Sequence, residues 1–169
     1  MSIRVRTADS VEILKRFDIN PPTTDERFLQ HAEVDRGIKA TIEGYSDPRF
    51  GKCIRVTVGS TVVTRQCSLT DSLAQDMAKE LRDHQAIPDI EALSHTLAHL
   101  LRQCSTMYEK SGIDTFALGP VYLTQRGYRI VGVAMERTAP LHVHKRLSSD
   151  AHDRKAQFPY RRTERKPGK

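Results

Sequence analysis

Several groupings in this 169-residue chain hold residue types that could do chemistry. His95 and His99 stand four apart, a spacing that can bind zinc on a helix. With Leu93 set at zero and about 100° per residue, they fall at roughly 200° and 240°, opposite the stripe of Leu93, Leu97, Leu100 and Cys104. They therefore face water, and Thr96 stands where an H-E-x-x-H site carries its glutamate. His142-Val143-His144 could form a metal pair, but no third ligand is in view. Ser60 follows Gly59 without a G-x-S-x-G context or an assignable His or Asp partner, so a tight backbone bend is the simpler reading. Cys53, Cys67 and Cys104 are odd in number and lack C-x-x-C spacing, and they read as buried or idle thiols. No catalytic residue and no metal site is expected from these groups.

The net charge of +6 would suggest a polyanion partner if it were spread over the domain. It is not. Residues 142–169 carry nine Lys or Arg against three Asp or Glu, which leaves 18 of each sign in residues 1–141. Within that tail, Arg154, Lys155, Arg161 and Arg162 interleave with Phe158 and Tyr160. Guanidinium groups pair with phosphates and rings stack on bases, which is one route to RNA. A basic tail can equally dock on an acidic protein or keep the chain in solution.

The elements that position these residues follow from periodicity. Val11, Ile13, Leu14 and Phe17 make a short amphipathic helix behind Thr7 or Asp9 as N-cap. The run Asn20-Pro21-Pro22-Thr23-Thr24-Asp25 is a linker, since two prolines fix φ and remove two donors. Ile38, Ala40 and Ile42 alternate with polar neighbours, as do Ile54, Val56 and Val58, across the turn Asp47-Pro48-Arg49-Phe50-Gly51, which predicts a β-hairpin. Thr61 to Thr64 makes a third strand. Thr70 caps a helix with Leu73, Met77 and Leu81 on its apolar side. A longer helix runs from Pro88 to Gly112 with Ile90, Leu93, Leu97, Leu100, Leu101, Cys104 and Met107 along one stripe. Residues 116–123 and 128–135 close as an antiparallel pair around Gln125-Arg126-Gly127. The result is an α+β fold, a mostly antiparallel sheet with two helices packed on one face. Its divisions are residues 1–32 as N-terminal helix and linker, 33–141 as the lobe, and 142–169 as a mobile basic tail. No apolar run approaches the roughly 18 residues of a membrane span and the N-terminus lacks a secretory signal, so a cytoplasmic protein without a membrane role is expected.

The order of these elements resembles the C-terminal lobe of the ATP-grasp module in ADP-forming acyl-CoA synthetases, the group that includes the succinyl-CoA synthetase β chain. Asp47-Pro48-Arg49-Phe50-Gly51 matches that family's D-P-x-F-G turn in full, and Gly37-Ile38-Lys39 stands at its G-x-E. Val58-Gly59-Ser60-Thr61 stands at its glycine-rich strand, Leu118-Gly119-Pro120-Val121 at D-I-N-P-L, and Val131 to Met135 at the last strand. The resemblance covers roughly residues 36–135. It implies that the family's asparagine is Gly119, its last-strand aspartate Ala134, or the neighbouring Gly132 or Met135 if the register slips, and its glutamate Lys39. Magnesium needs oxygen ligands, and none of these side chains offers one.

The resemblance therefore implies a degenerate lobe, a non-catalytic accessory or regulatory subunit that works by binding a protein partner as a hetero- or homo-oligomer. Lys39, Asp47, Arg49, Phe50, Gly59 and Ser60 are its candidate ligand or partner contacts. No cofactor is expected, and ATP with magnesium enters only if a partner completes the site. In that alternative the chain is half of a split acid-CoA ligase (ADP-forming). A third reading is an RNA-binding protein acting through the tail residues named above.

Overall fold

The computed structural model describes residues 1–23 and 37–138. Seven strands make one sheet: β1 (Ser2–Arg4), β2 (Ile38–Asp47), β3 (Gly51–Val58), β4 (Thr61–Gln66), β5 (Thr115–Thr124), β6 (Gly127–Ile130) and β7 (Val133–Thr138). Among the described residues three helices accompany them: α1 (Thr7–Arg16), α2 (Asp71–Asp83) and α3 (Glu91–Lys110). Strand order is β1-β7-β5-β2-β3-β4, with β6 also on β5, and every pairing is antiparallel. The expected α+β architecture is what forms.

Alternation decides which face is covered. On the central strands Ala40, Ile42, Ile54, Val56, Val58, Leu118 and Val121 are buried, and cross-strand pairing places them on one face. α2 and α3 cover that face with Met77, Leu81, Leu97, Leu100, Leu101 and Met107, all inaccessible to solvent. Thr70 caps α2 as expected, its Oγ1 accepting from the Leu73 N–H at 3.2 Å. Two details differ from the sequence reading. Leu73 is exposed and the small residues Ala74 and Ala78 are buried instead, Ala78 beside Glu91, Ser94 and His95 of α3. α1 is capped by neither Thr7 nor Asp9 but begins behind Arg6, with Asp9 inside its first turn.

β1 has no counterpart in the sequence reading. It extends the sheet beyond β7 through Ser2↔Thr138, Ile3↔Arg137 and Arg4↔Glu136. The strand expected over 128–135 divides into β6 and β7. Both lie along the same side of β5, and the break at Val131-Gly132 is bridged by Gly119 N–H to Gly132 O and Val131 N–H to Pro120 O, each 3.0 Å. A Cβ on Gly132 would stand 2.7 Å from the Gly119 carbonyl oxygen, so the two backbones can meet only without a side chain there.

One end of the core is built around glycine. Phe116 packs over Gly44, where a Cβ would come within 2.2 Å of its ring, and Tyr108 meets that ring edge-on at 5.4 Å and 74°. The Tyr108 hydroxyl donates to Asp114 O at 2.6 Å, and burial pushes its pKa up to about 12. Lys52 Nζ lies 4.5 Å from the same ring and donates to Tyr108 O and Ile113 O, satisfying carbonyls at the end of α3. Among the described residues no helix is long and apolar enough to cross a membrane.

Candidate functional site

The sheet face away from the helices carries the alternate residues of the same strands. β2 contributes Lys39, Thr41, Glu43 and Tyr45, and β3 contributes Cys53, Arg55 and Thr57. Ala117 of β5 stands between Glu43 and Ala134, its partners on β2 and β7. The floor of this open face is low because Ala117, Gly119, Gly132 and Ala134 project little or nothing. With Thr41 they line a depression of about 340 Å³. A neighbouring one of about 260 Å³ is bounded by Glu43, Tyr45, Arg55, Thr115 and Glu136.

These polar groups already have partners. Arg55 Nε donates to Glu43 Oε2 at 2.9 Å while its guanidinium stacks 4.8 Å from the Tyr45 ring centre. Glu136 Oε2 accepts from Ser2 Oγ at 3.2 Å and Thr115 Oγ1 at 3.5 Å. Beside them, burial raises the Cys53 thiol pKa, and the nearby Asp47 carboxylate raises it further. Burial raises Cys67 and Cys104 as well, which holds all three thiols in the unreactive protonated form near neutral pH. All three are free thiols.

A magnesium ion held at this face would need oxygen ligands. Gly119 and Ala134, the two positions the resemblance implies, occupy one depression, and neither has a side-chain oxygen; beside them only Thr41 carries a hydroxyl. Space is short as well: a Cβ on Gly119 would lie 3.2 Å from Thr41 Cγ2 and 3.3 Å from its Oγ1. Among the described residues no three of His, Cys, Asp and Glu gather around a point that could hold a metal ion. The residues present at these positions do not fit the ion.

The six candidate contacts fall into two groups. Lys39 is exposed near the start of β2, and because Ala40 pairs with Val58, the Gly59-Ser60 turn lies at the same end of the sheet. Asp47, Arg49 and Phe50 occupy the other end, across the eight residues of β3, roughly 25 Å away. Asp47 is occupied by its own turn, with Oδ1 accepting from the Arg49 N–H at 2.7 Å and the Phe50 N–H at 3.1 Å. Phe50 is 61% exposed at the tip. Gly59, with φ of +60°, forms the two-residue turn that Ser60 completes. No single ligand of ordinary size spans both groups. His95 and His99 are exposed on α3, as the helical projection requires. Arg154, Lys155, Phe158, Tyr160, Arg161 and Arg162, together with His142 and His144, lie outside the described residues.

Thr41, Glu43, Tyr45, Arg55, Thr115 and Glu136 were not singled out by sequence reasoning. The alternation that sends Ala40 and Ile42 inwards sends Thr41, Glu43 and Tyr45 to this face, so the signal was present. Its meaning was hidden, because only pairing through β5 brings Glu136 within reach of Thr115.

No known family profile matches the chain, and no curated protein matches it. Solved structures do. The dinucleotide-forming acetyl-coenzyme A synthetase 1 of Ca. Korarchaeum cryptofilum, in complex with coenzyme A, Ca-AMPCP and HgCl+, is 19% identical with a TM-score of 0.53 over 60% of this chain and 50% of that one. PH1788 from Pyrococcus horikoshii Ot3 is 23% identical with a TM-score of 0.51, over 59% and 48%. The apo form of the Korarchaeum synthetase gives 15% and 0.53, over 82% and 85%. The chain spans about half the length of the first two. At these identities the shared property is the fold alone, an α+β, ATP-grasp-like lobe.

Proposed function

We propose that the chain is a non-catalytic accessory or regulatory subunit derived from an ATP-grasp acyl-CoA synthetase lobe, acting in the cytoplasm by binding another protein. The observation that carries this reading is the meeting of Gly119 and Ala134, neither with a side-chain oxygen, in one depression on the open face. Phosphoryl transfer depends on charge neutralisation and positioning, so a lobe without ligands at these positions contributes a surface and not a reaction. That surface joins a small-residue, largely apolar floor to the half-exposed Arg55–Glu43 pair beside it, a mix compatible with meeting another chain.

Affinity capture of the tagged chain from its native cells, followed by native mass spectrometry, tests the reading. It expects a stoichiometric complex with a different chain that is lost when Thr41→Arg and Ala134→Arg crowd the open face. Recovery of the chain with no different protein bound contradicts it.

A second reading draws on the chain's spanning about half of two of its structural neighbours. A partner would then supply the other half of a split ADP-forming acyl-CoA synthetase, together with the ligands for ATP and magnesium. ATP turnover by the captured complex, absent from the chain alone, separates the two readings.

A further inference from the structure

Strand register sorts the open face by charge. Ala40, Val121, Leu123 and Ile130 are buried on the helix side, so their neighbours Lys39, Tyr122 and Arg129 stand on the other. The three form one row, because Lys39 of β2 pairs with Tyr122 of β5 and Tyr122 pairs with Arg129 of β6. Opposed Cβ atoms in such a row lie about 5 Å apart, so a lysine and an arginine flank one half-buried ring. Lys39 is exposed, and among the described residues no ion pair holds it. Arg129 is exposed and is engaged by a further contact as well. The carboxylates of this face lie away from the row. Glu43 stands four residues along β2, about 13 Å off, and is taken by Arg55. Asp47 is held by its own turn, and Glu136 accepts from Ser2 and Thr115. Thr41, two residues after Lys39, lines the depression with Gly119 and Ala134, so the row borders it.

We propose that this row receives an acidic segment of the partner protein, with Asp or Glu side chains directed at Lys39 and Arg129 across Tyr122. The inference rests on the protein-binding reading above and names what the partner must bring. A basic partner segment would set like charge against Lys39, and an apolar one would bury its ammonium without a counter-charge; both cost binding free energy. One lysine and one arginine match one or two carboxylates. An RNA strand needs a longer basic track, because its affinity comes from neutralising many phosphates in succession, and residues 1–141 hold 18 charges of each sign. Tyr122 adds a rigid, largely apolar surface between the charges, the residue type that anchors protein interfaces.

Photo-cross-linking of the full chain in its captured complex tests the chemistry of the segment. With p-benzoylphenylalanine in place of Tyr122, irradiation is expected to join the row to a partner peptide carrying at least two Asp or Glu about two to four residues apart, the span an extended chain covers between Lys39 and Arg129. Lys39→Glu is expected to weaken the complex about tenfold at low ionic strength, and Lys39→Arg to retain it. The affinity of the unaltered chain is expected to fall as salt rises. Lys39 is exposed, so neither variant is expected to shift the melting temperature. A link to a peptide without acidic residues, a link to RNA, or no link while the partner is still captured overturns the inference. So does a complex that Lys39→Glu leaves intact and that Thr41→Arg with Ala134→Arg dissolves, a result under which the protein-binding reading stands. Capture of no partner protein at all defeats both.

Discussion

Gly44 shows how one missing side chain can set the position of a whole strand. Phe116 occupies the volume a Cβ would need, 2.2 Å from its ring, and is itself clamped edge-on by Tyr108. Gly44→Ala is therefore expected to destabilise the fold by about 1–3 kcal/mol, the range for overpacking a filled core, as read by urea unfolding. Tyr108 makes a second prediction through its hydroxyl. Its pKa is pushed up to about 12 from 10.0, chiefly by burial. A phenol whose pKa rises on folding favours the folded state while protonated, so this contribution is complete below about pH 10 and is lost as pH climbs towards 12. Unfolding free energy measured across that window is expected to fall, and to fall less in Tyr108→Phe. At neutral pH the same variant is expected to cost about 1 kcal/mol through the lost hydrogen bond to Asp114 O.

Elements were legible wherever periodicity and capping agreed. The alternation of Ile38, Ala40 and Ile42 against Ile54, Val56 and Val58, with a proline-containing turn between, fixed β2 and β3 almost residue by residue. Thr70 announced α2, and Thr70→Ala is expected to lower stability by about 1 kcal/mol while Thr70→Asp retains it, as thermal melting would show. β1 was not legible for a physical reason: Ser2, Ile3 and Arg4 are all exposed, so no burial pattern marks them, and only their ladder to β7 makes them a strand. The β6–β7 break was hidden for another. Val131-Gly132 reads as a continuation of the strand until the Gly119 carbonyl, brought alongside from β5, forces the two backbones together. Leu73 misled because hydrophobicity alone does not say which flank of a helix is covered; the flank of Ala74 and Ala78 is buried and Leu73 is left exposed. The open face lies between these cases, its residues readable from alternation and its grouping visible only in the strand order.

At the scale of the whole molecule, charge and fold separate. The excess of basic residues lies entirely beyond residue 141, and residues 1–141 balance. Whatever affinity the chain has for polyanions should therefore reside in the tail. Truncation after Pro140 is expected to abolish retention on an RNA column and to leave the melting temperature unchanged, whereas retention by the truncated chain would place the binding surface on the lobe. The fold is that of an ATP-grasp-like lobe, and the function proposed above rests on Gly119 and Ala134 of its open face offering no side-chain oxygen to a metal ion. Isothermal titration of ATP and magnesium into the purified full chain tests that central point most directly. The expected result is no heat beyond dilution; a saturable, magnesium-dependent binding isotherm that Thr41→Arg abolishes would contradict it.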